Sequence, residues 1–193
     1  MADDVYEPSA EMKERAYIKS LDEYREMYER SVKDPEGFWA EQAEKFTWFR
    51  KWDGVRSFDF KEGNIKYYEG GKTNICYNAL DRHLDAMGDK TAIIWEGNEP
   101  GEDSKLSYRE LHAEVCRFAN VLRKMGVKKG DRVCMYMQMI PQLPIAMLAC
   151  ARIGAIHSVV FGAFSPDSLR DRINDSTCKI LITQDTALRG KKN

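Results

Sequence analysis

The chain reads as an α/β protein in which a helical N-terminal extension and strap precede a parallel βαβαβ unit. Three observations predict this class. Short, mostly apolar runs alternate with helical segments between Arg132 and Thr183, at spacings that require crossover connections between parallel strands. The helix within that unit, Gln142 to Ile153, is apolar almost all round, as a helix covered on both sides must be. The first third carries helix-start signals and aromatic residues but no sustained period. Its predicted boundary is 1–74 for the extension and strap, with 75–193 an incomplete α/β domain.

Each element has a local cause. Ser20-Leu-Asp-Glu23 has the form of a capping box and opens a helix with Leu21, Tyr24, Tyr28 and Ser31 on one face. Asp34-Pro-Glu36 starts a second helix, because Asp caps and Pro suits the first turn. Its face bears Trp39, Ala43 and Phe46. Residues 47–74 are rich in Trp, Gly and charge without a period, and predict an extended strap lying on a larger body. Tyr24, Tyr28, Trp39, Trp48 and Trp52 read as packing anchors for it.

From Asn74 the signals sharpen. Asn74 caps a helix through Ile75, Ala79, Leu80 and Leu84 that stops near Gly88. Thr91–Trp95 is a strand, and Asn98-Glu-Pro-Gly101 a turn. Ser107-Tyr-Arg-Glu110 is a second capping box, opening an amphipathic helix through Leu111, Val115, Phe118, Leu122 and Met125 to Gly126. Strands follow at Arg132–Met137, His157–Phe161 and Lys179–Thr183, with a helix from Pro166 to Ile173 capped by Ser165. Met135, Met137, Met139 and Met147 read as core filler.

Charge and composition exclude several function classes. The chain has 193 residues, 30 basic and 31 acidic side chains, and a net charge of -1, unlike a general nucleic-acid binder. The charge is uneven, with 17 acids and 13 bases in residues 1–74 against 14 and 17 beyond. No apolar run approaches the roughly 20 residues that span a bilayer, and no basic-apolar leader opens the sequence, so a cytoplasmic protein is expected. Five cysteines form no CxxC or Cys/His cluster, and free, mostly buried thiols are expected. His83, His112 and His157 lack metal-ligand spacing, and no metal is assigned. Asp167, Asp171 and Asp175 recur every four residues, but Arg170 and Arg172 between them make a solvated, ion-paired helix.

Specific segments resemble AMP-forming acetyl-CoA synthetases, the acetate–CoA ligases of the adenylate-forming superfamily. They are Gly70-Gly-Lys-Thr-Asn-Ile-Cys-Tyr-Asn-Ala-Leu-Asp-Arg-His83, Trp95-Glu-Gly-Asn-Glu-Pro-Gly101 and, most specifically, Ile140 through Ser165. Ser31-Val-Lys-Asp-Pro-Glu-Gly-Phe-Trp39 resembles the helical N-terminal region of that family. The order is kept along nearly the whole chain. Gln138, Gln142, Ala163 and Lys191 depart from the family pattern, and Lys191 replaces a Gly whose backbone freedom it lacks.

The resemblance implies the first portion of a large N-terminal AMP-binding domain. It also implies a two-step reaction, in which acetate attacks the α-phosphorus of ATP and the thiol of CoA then attacks acetyl-AMP. ATP, CoA, acetate and Mg²⁺ belong to the complete enzyme, with no nucleic acid or membrane partner. The Ser/Thr/Gly-rich phosphate loop, acyl pocket and catalytic Lys of that family do not occur here, so no catalytic residue is assigned and the chain alone is expected to be inactive. What remains is part of the CoA site: Phe161, Gly162 and Ala163 beside the nucleotide, and Arg189, Gly190, Lys191 and Lys192 approaching its phosphates. From spacing alone, Phe161-Gly-Ala-Phe is a tight strand–helix connection and the terminal basic run a solvated tail. Yet this turn also lies where ligands of open α/β sheets bind, with a helix N-terminus favouring an anion. Two other readings stand beside the ligase portion: a stand-alone CoA-binding or regulatory module, and a non-binding remnant that completes its fold with another chain. An incomplete sheet and an all-round apolar helix predict exposed apolar surface and self-association or a partner chain.

Overall fold

The computed structural model describes residues 6–187. They fall into two compact units that divide between Lys72 and Thr73.

The first unit opens on helix α1 (Ala10–Arg15), which the sequence reading does not anticipate; Ser9 caps it by accepting from the Met12 N–H. Helix α2 (Leu21–Lys33) starts as expected, with Ser20 Oγ accepting from the Glu23 N–H at 3.1 Å. The return bond differs from a capping box, because Glu23 accepts from the Lys19 N–H instead of that of Ser20. Helix α3 (Pro35–Ala43) is capped by Asp34 and buries Phe38 and Ala43, whereas α2 buries none of its residues.

The strap is a β-hairpin, not an irregular segment. Strand β1 (Gly54–Asp59) pairs antiparallel with β2 (Asn64–Glu69). Its turn is held by Asp59 Oδ1, which accepts from the Lys61 and Glu62 N–H groups, and by Gly63 at φ +63°. The missing period has a physical cause: Phe58, Phe60, Ile65 and Tyr67 are all exposed, so no face is selected for polarity. Trp48, Trp52 and Tyr68 form the anchoring aromatic cluster, with ring centroids 4.9–5.3 Å apart. Tyr68 donates its hydroxyl proton to Trp39 O, and Trp48 Nε1 donates to Ala43 O. Tyr24 and Tyr28 instead stack on each other at the surface of α2.

The second unit begins where Asn74 Oδ1 accepts from the Cys76 and Tyr77 N–H groups and opens α4 (Ile75–Ala79). The single helix expected to Gly88 is broken at Leu80, followed by a 3-10 turn (Asp81–His83) and α5 (Leu84–Met87). Leu80 leaves helical geometry and is buried in the core, while Asp81 reaches Arg152. Strand β3 (Thr91–Glu96) pairs antiparallel with β4 (Asp103–Ser107). The polar β4 has no apolar alternation to announce it.

Helix α6 (Tyr108–Lys124) has a complete capping box, in which Ser107 and Glu110 exchange bonds. Leu111, Val115, Ala119 and Leu122 are buried along one stripe, while the expected last member, Met125, is exposed. Strand β5 (Arg132–Met137), helix α7 (Gln142–Ile153), strand β6 (Ile156–Phe161), helix α8 (Pro166–Ser176) and strand β7 (Ile180–Thr183) follow. The sheet order is β6-β5-β7, all parallel. The chain therefore returns past β5 on its second crossover, which makes β5 the point where the winding reverses.

One sheet face, with Val133, Met135, Met137, Ile180 and Ile182, packs into a core shared with α4, α6 and α7. Helix α7 buries Leu143, Ala146, Ala149 and Cys150, but Ile145, Met147 and Leu148 remain partly exposed. Met139, expected as core filler, is exposed, because it lies in the loop beyond β5. Helix α7 closes on Gly154 at φ +75°, with Gly154 N–H to Ala151 O and Ala155 N–H to Cys150 O. Helix α8 ends on Thr177 at φ +48°, a strained angle for a β-branched residue. Arg132 holds that end, its Nε donating to Ser176 O at 2.7 Å and its Nη2 to Thr177 O.

Candidate site at the carboxyl edge of the parallel sheet

Three chain segments leave the sheet at the carboxyl ends of β5, β6 and β7. Gln138 N–H donates to Gln184 Oε1 at 2.7 Å, joining the exits of β5 and β7. Tyr136, on β5, shares its hydroxyl proton between Gly162 O at 3.1 Å and Phe164 O at 2.9 Å. The loop after β6 is therefore pinned from the central strand. A turn bond from Phe164 N–H to Phe161 O closes it. Trp95 Nε1 donates to Met139 O and fixes the neighbouring loop.

Phe161 ends β6, and Gly162 and Ala163 begin the pinned loop that follows it. Phe161 is 67% exposed and meets Phe164 edge-on at 6.1 Å. Arg172 of α8 lies 4.8 Å above the Phe164 ring, a cation–π contact that ties helix to loop. The arrangement offers a planar group one free aromatic face on a rigid support. A Cβ on Gly162 would meet Met137 O at an ordinary 3.4 Å, so nothing within this unit requires a glycine there.

The helix terminus contributes less than its dipole suggests. Pro166 has no N–H, the Ser168 N–H already bonds Ser165 Oγ, and Asp167 places a carboxylate in the first turn. Arg189, Gly190, Lys191 and Lys192 lie outside the described residues. Sequence reasoning missed Tyr136, Arg172 and the Gln138–Gln184 bond. The alternation of β5 exposes Tyr136 as an outlier among apolar residues, but its partner lies 26 residues away.

Elsewhere, Asp81, His112 and Cys116 cluster in a manner that invites a nucleophile. His112 Nε2 is 3.3 Å from Asp81 Oδ1 and 3.6 Å from Cys116 Sγ. A relay needs the two ring nitrogens to face opposite partners, and here one nitrogen faces both. Burial also pushes the Cys150 thiol up to about 11 and raises those of Cys76 and Cys134, which keeps them protonated and inert.

Comparison with known proteins bears on this geometry. The family model for the AMP-binding enzyme matches residues 80–193. The chain belongs to the AMP-binding enzyme family. A second model, acetyl-coenzyme A synthetase N-terminus, matches residues 24–79, across the two capped helices and the hairpin. Acetyl-coenzyme A synthetase of Alkalilimnicola ehrlichii is 56% identical over 98% of this chain and 29% of its own length. That of Magnetococcus marinus is 59% identical over 89% of the chain and 27% of its own length. That of Bdellovibrio bacteriovorus is 56% identical over 100% and 30%. This AMP-binding family member thus spans less than a third of the relatives it matches. The pinned loop lies within the matched AMP-binding region, as does the whole parallel sheet.

Proposed function

We propose that the chain provides the N-terminal portion of an acetate–CoA ligase. The enzyme makes acetyl-CoA from acetate, ATP and CoA by way of acetyl-AMP. The observation that carries this reading is more than 50% identity to acetyl-coenzyme A synthetases along nearly the whole chain, including the loop after β6. In this proposal Phe161 stacks beside the CoA adenine. Gly162 and Ala163 lie along the nucleotide, and Arg189 to Lys192 face its phosphates. Tyr136 and Arg172 position the loop without touching the ligand.

Magnesium belongs to the ATP half-reaction, where it neutralises phosphate charge. Among the described residues no group of three His, Cys, Asp or Glu gathers to hold a metal ion, and no step is assigned to a metal here. No helix among them is long and apolar enough to cross a membrane; we place the reaction in the cytoplasm. The exposed aromatic and aliphatic residues of both units supply a surface for self-association or a partner chain.

The experiment separates adenylation from thiol transfer. The chain alone is expected to give no acetate-dependent exchange of pyrophosphate into ATP, and such exchange would overturn the portion reading. In a relative-length enzyme, Arg189→Ala is expected to raise the KM for CoA while leaving that exchange intact. Dephospho-CoA should lose little, because the phosphate that Arg189 would fork is absent. Equal losses with both would make Arg189 a loop-holding residue.

A further inference from the structure

At the opposite edge of the sheet lies a cavity of about 530 Å³ between the ends of α6 and α7 and the loop before β5. Arg123, Lys128, Lys129 and Arg152 line it, with Asn120 and Cys116 but no carboxylate. A sphere of that volume is about 10 Å across, close to the screening length at 0.1 M salt. Asp81 already neutralises Arg152, so Arg123, Lys128 and Lys129 are the cations that repel one another unless an anion sits among them. Cys116, Asn120 and Arg123 share one face of α6, so the convergence is built by helix geometry and by the turn at Gly126.

A plainer reading makes these cations complements of the helix C-terminal dipoles. It covers them only in part. The α6 terminus already receives the Val127 N–H at Leu122 O and the Lys179 ammonium at Gly126 O. Lys128 and Lys129 belong to neither helix. Two carboxylates that bond lining residues are engaged: Asp131 with Lys179 and the Lys128 N–H, and Asp81 with Arg152 Nη2 and His112. Arg152 Nε is buried with no hydrogen-bond partner, so it adds nothing to the cavity surface.

We infer that this cavity is a binding site for a multivalent phosphate anion of the polyphosphate class. Arg123 supplies a planar donor fork, Lys128 and Lys129 point charges, Asn120 a neutral amide, and Arg152 the part of its guanidinium that Asp81 leaves. The site is separate from the loop at Phe161, because β5 and β6 carry the two edges about 17 Å apart. It is thereby suited to report anion concentration without competing at the carboxyl edge.

The test uses the full chain with tripolyphosphate at low salt, followed by calorimetry. Wild type is expected to bind one equivalent. The double variant Arg123→Gln, Lys128→Gln, with an unchanged thermal midpoint, is expected to bind at least about tenfold more weakly. Equal affinity in variant and wild type overturns the assignment. A second measurement needs no variant: alkylation of Cys116 by neutral iodoacetamide, read by peptide mass. Tripolyphosphate should slow modification at Cys116, in the cavity wall, and leave Cys178 unaffected, against chloride at matched ionic strength. Unprotected Cys116 overturns the site even where the variant fails to fold.

Discussion

The two units are built by different balances of the same forces. Residues 6–72 bury only Phe38 and Ala43 among their large or apolar side chains, whereas the second unit gathers one continuous core from α4, α6, α7 and one face of the parallel sheet. In the first unit, order comes from caps, the Trp48–Trp52–Tyr68 cluster and surface ion pairs such as Arg30–Glu41. Exposed pairs of that kind contribute little. A segment can thus be extensively hydrogen-bonded locally and still lack the apolar burial that makes unfolding cooperative.

Core truncation should give the largest contrast. Leu122, 1% exposed, is expected to cost about 2–5 kcal/mol when replaced by Ala, measured by urea unfolding followed at the helix signal. A loss below about 1 kcal/mol would erase the distinction between the units. In the first unit, Tyr68→Phe removes the bond to Trp39 O and should cost about 1 kcal/mol. The expected sign is faster proteolysis between β1 and β2 with the second unit intact. Ser107→Ala removes the side-chain half of the capping box at α6, the bond from the Glu110 N–H to Ser107 Oγ, and should cost about 1 kcal/mol, read as a lower Tm.

Acid should act through Asp131. Its carboxyl lies below the ordinary value of 3.8, first through the bond from Lys179 and then through the Lys128 N–H. A lowered folded value means that the stabilisation is complete above the ordinary value and fades as pH falls through the folded one. Asp131→Asn should therefore reduce stability at neutral pH and flatten its decline below about pH 4. Identical acid profiles would remove the Asp131–Lys179 pair from the account.

The smallest stability effect is expected at the candidate site. Phe161→Ala, at an exposed position, should stay within about 0.5 kcal/mol of wild type. In a relative-length enzyme it should weaken CoA by the 1–3 kcal/mol typical of base stacking. A large loss of stability would make Phe161 a packing residue.

What was legible in the sequence is what the chain decides within three or four residues. Ser20, Asp34, Asn74, Ser107 and Ser165 each cap the helix expected of them, and the strands from Arg132 onward lie where their short apolar runs place them. The segments from Gly70 and Ile140 also mark the family by sequence alone. Other features needed partners distant in the chain. Asn74 reaches Ala151 across 77 positions, and Arg132 closes α8 across 44. Tyr136 pins the loop after β6, and two helix ends bring like charges around one cavity. The strap became a hairpin only through pairing, since neither strand has a face whose burial could reveal it. Local propensity and capping act through the neighbouring turn, so sequence carries them; strand order and the convergence of remote side chains depend on which surfaces the core forces together.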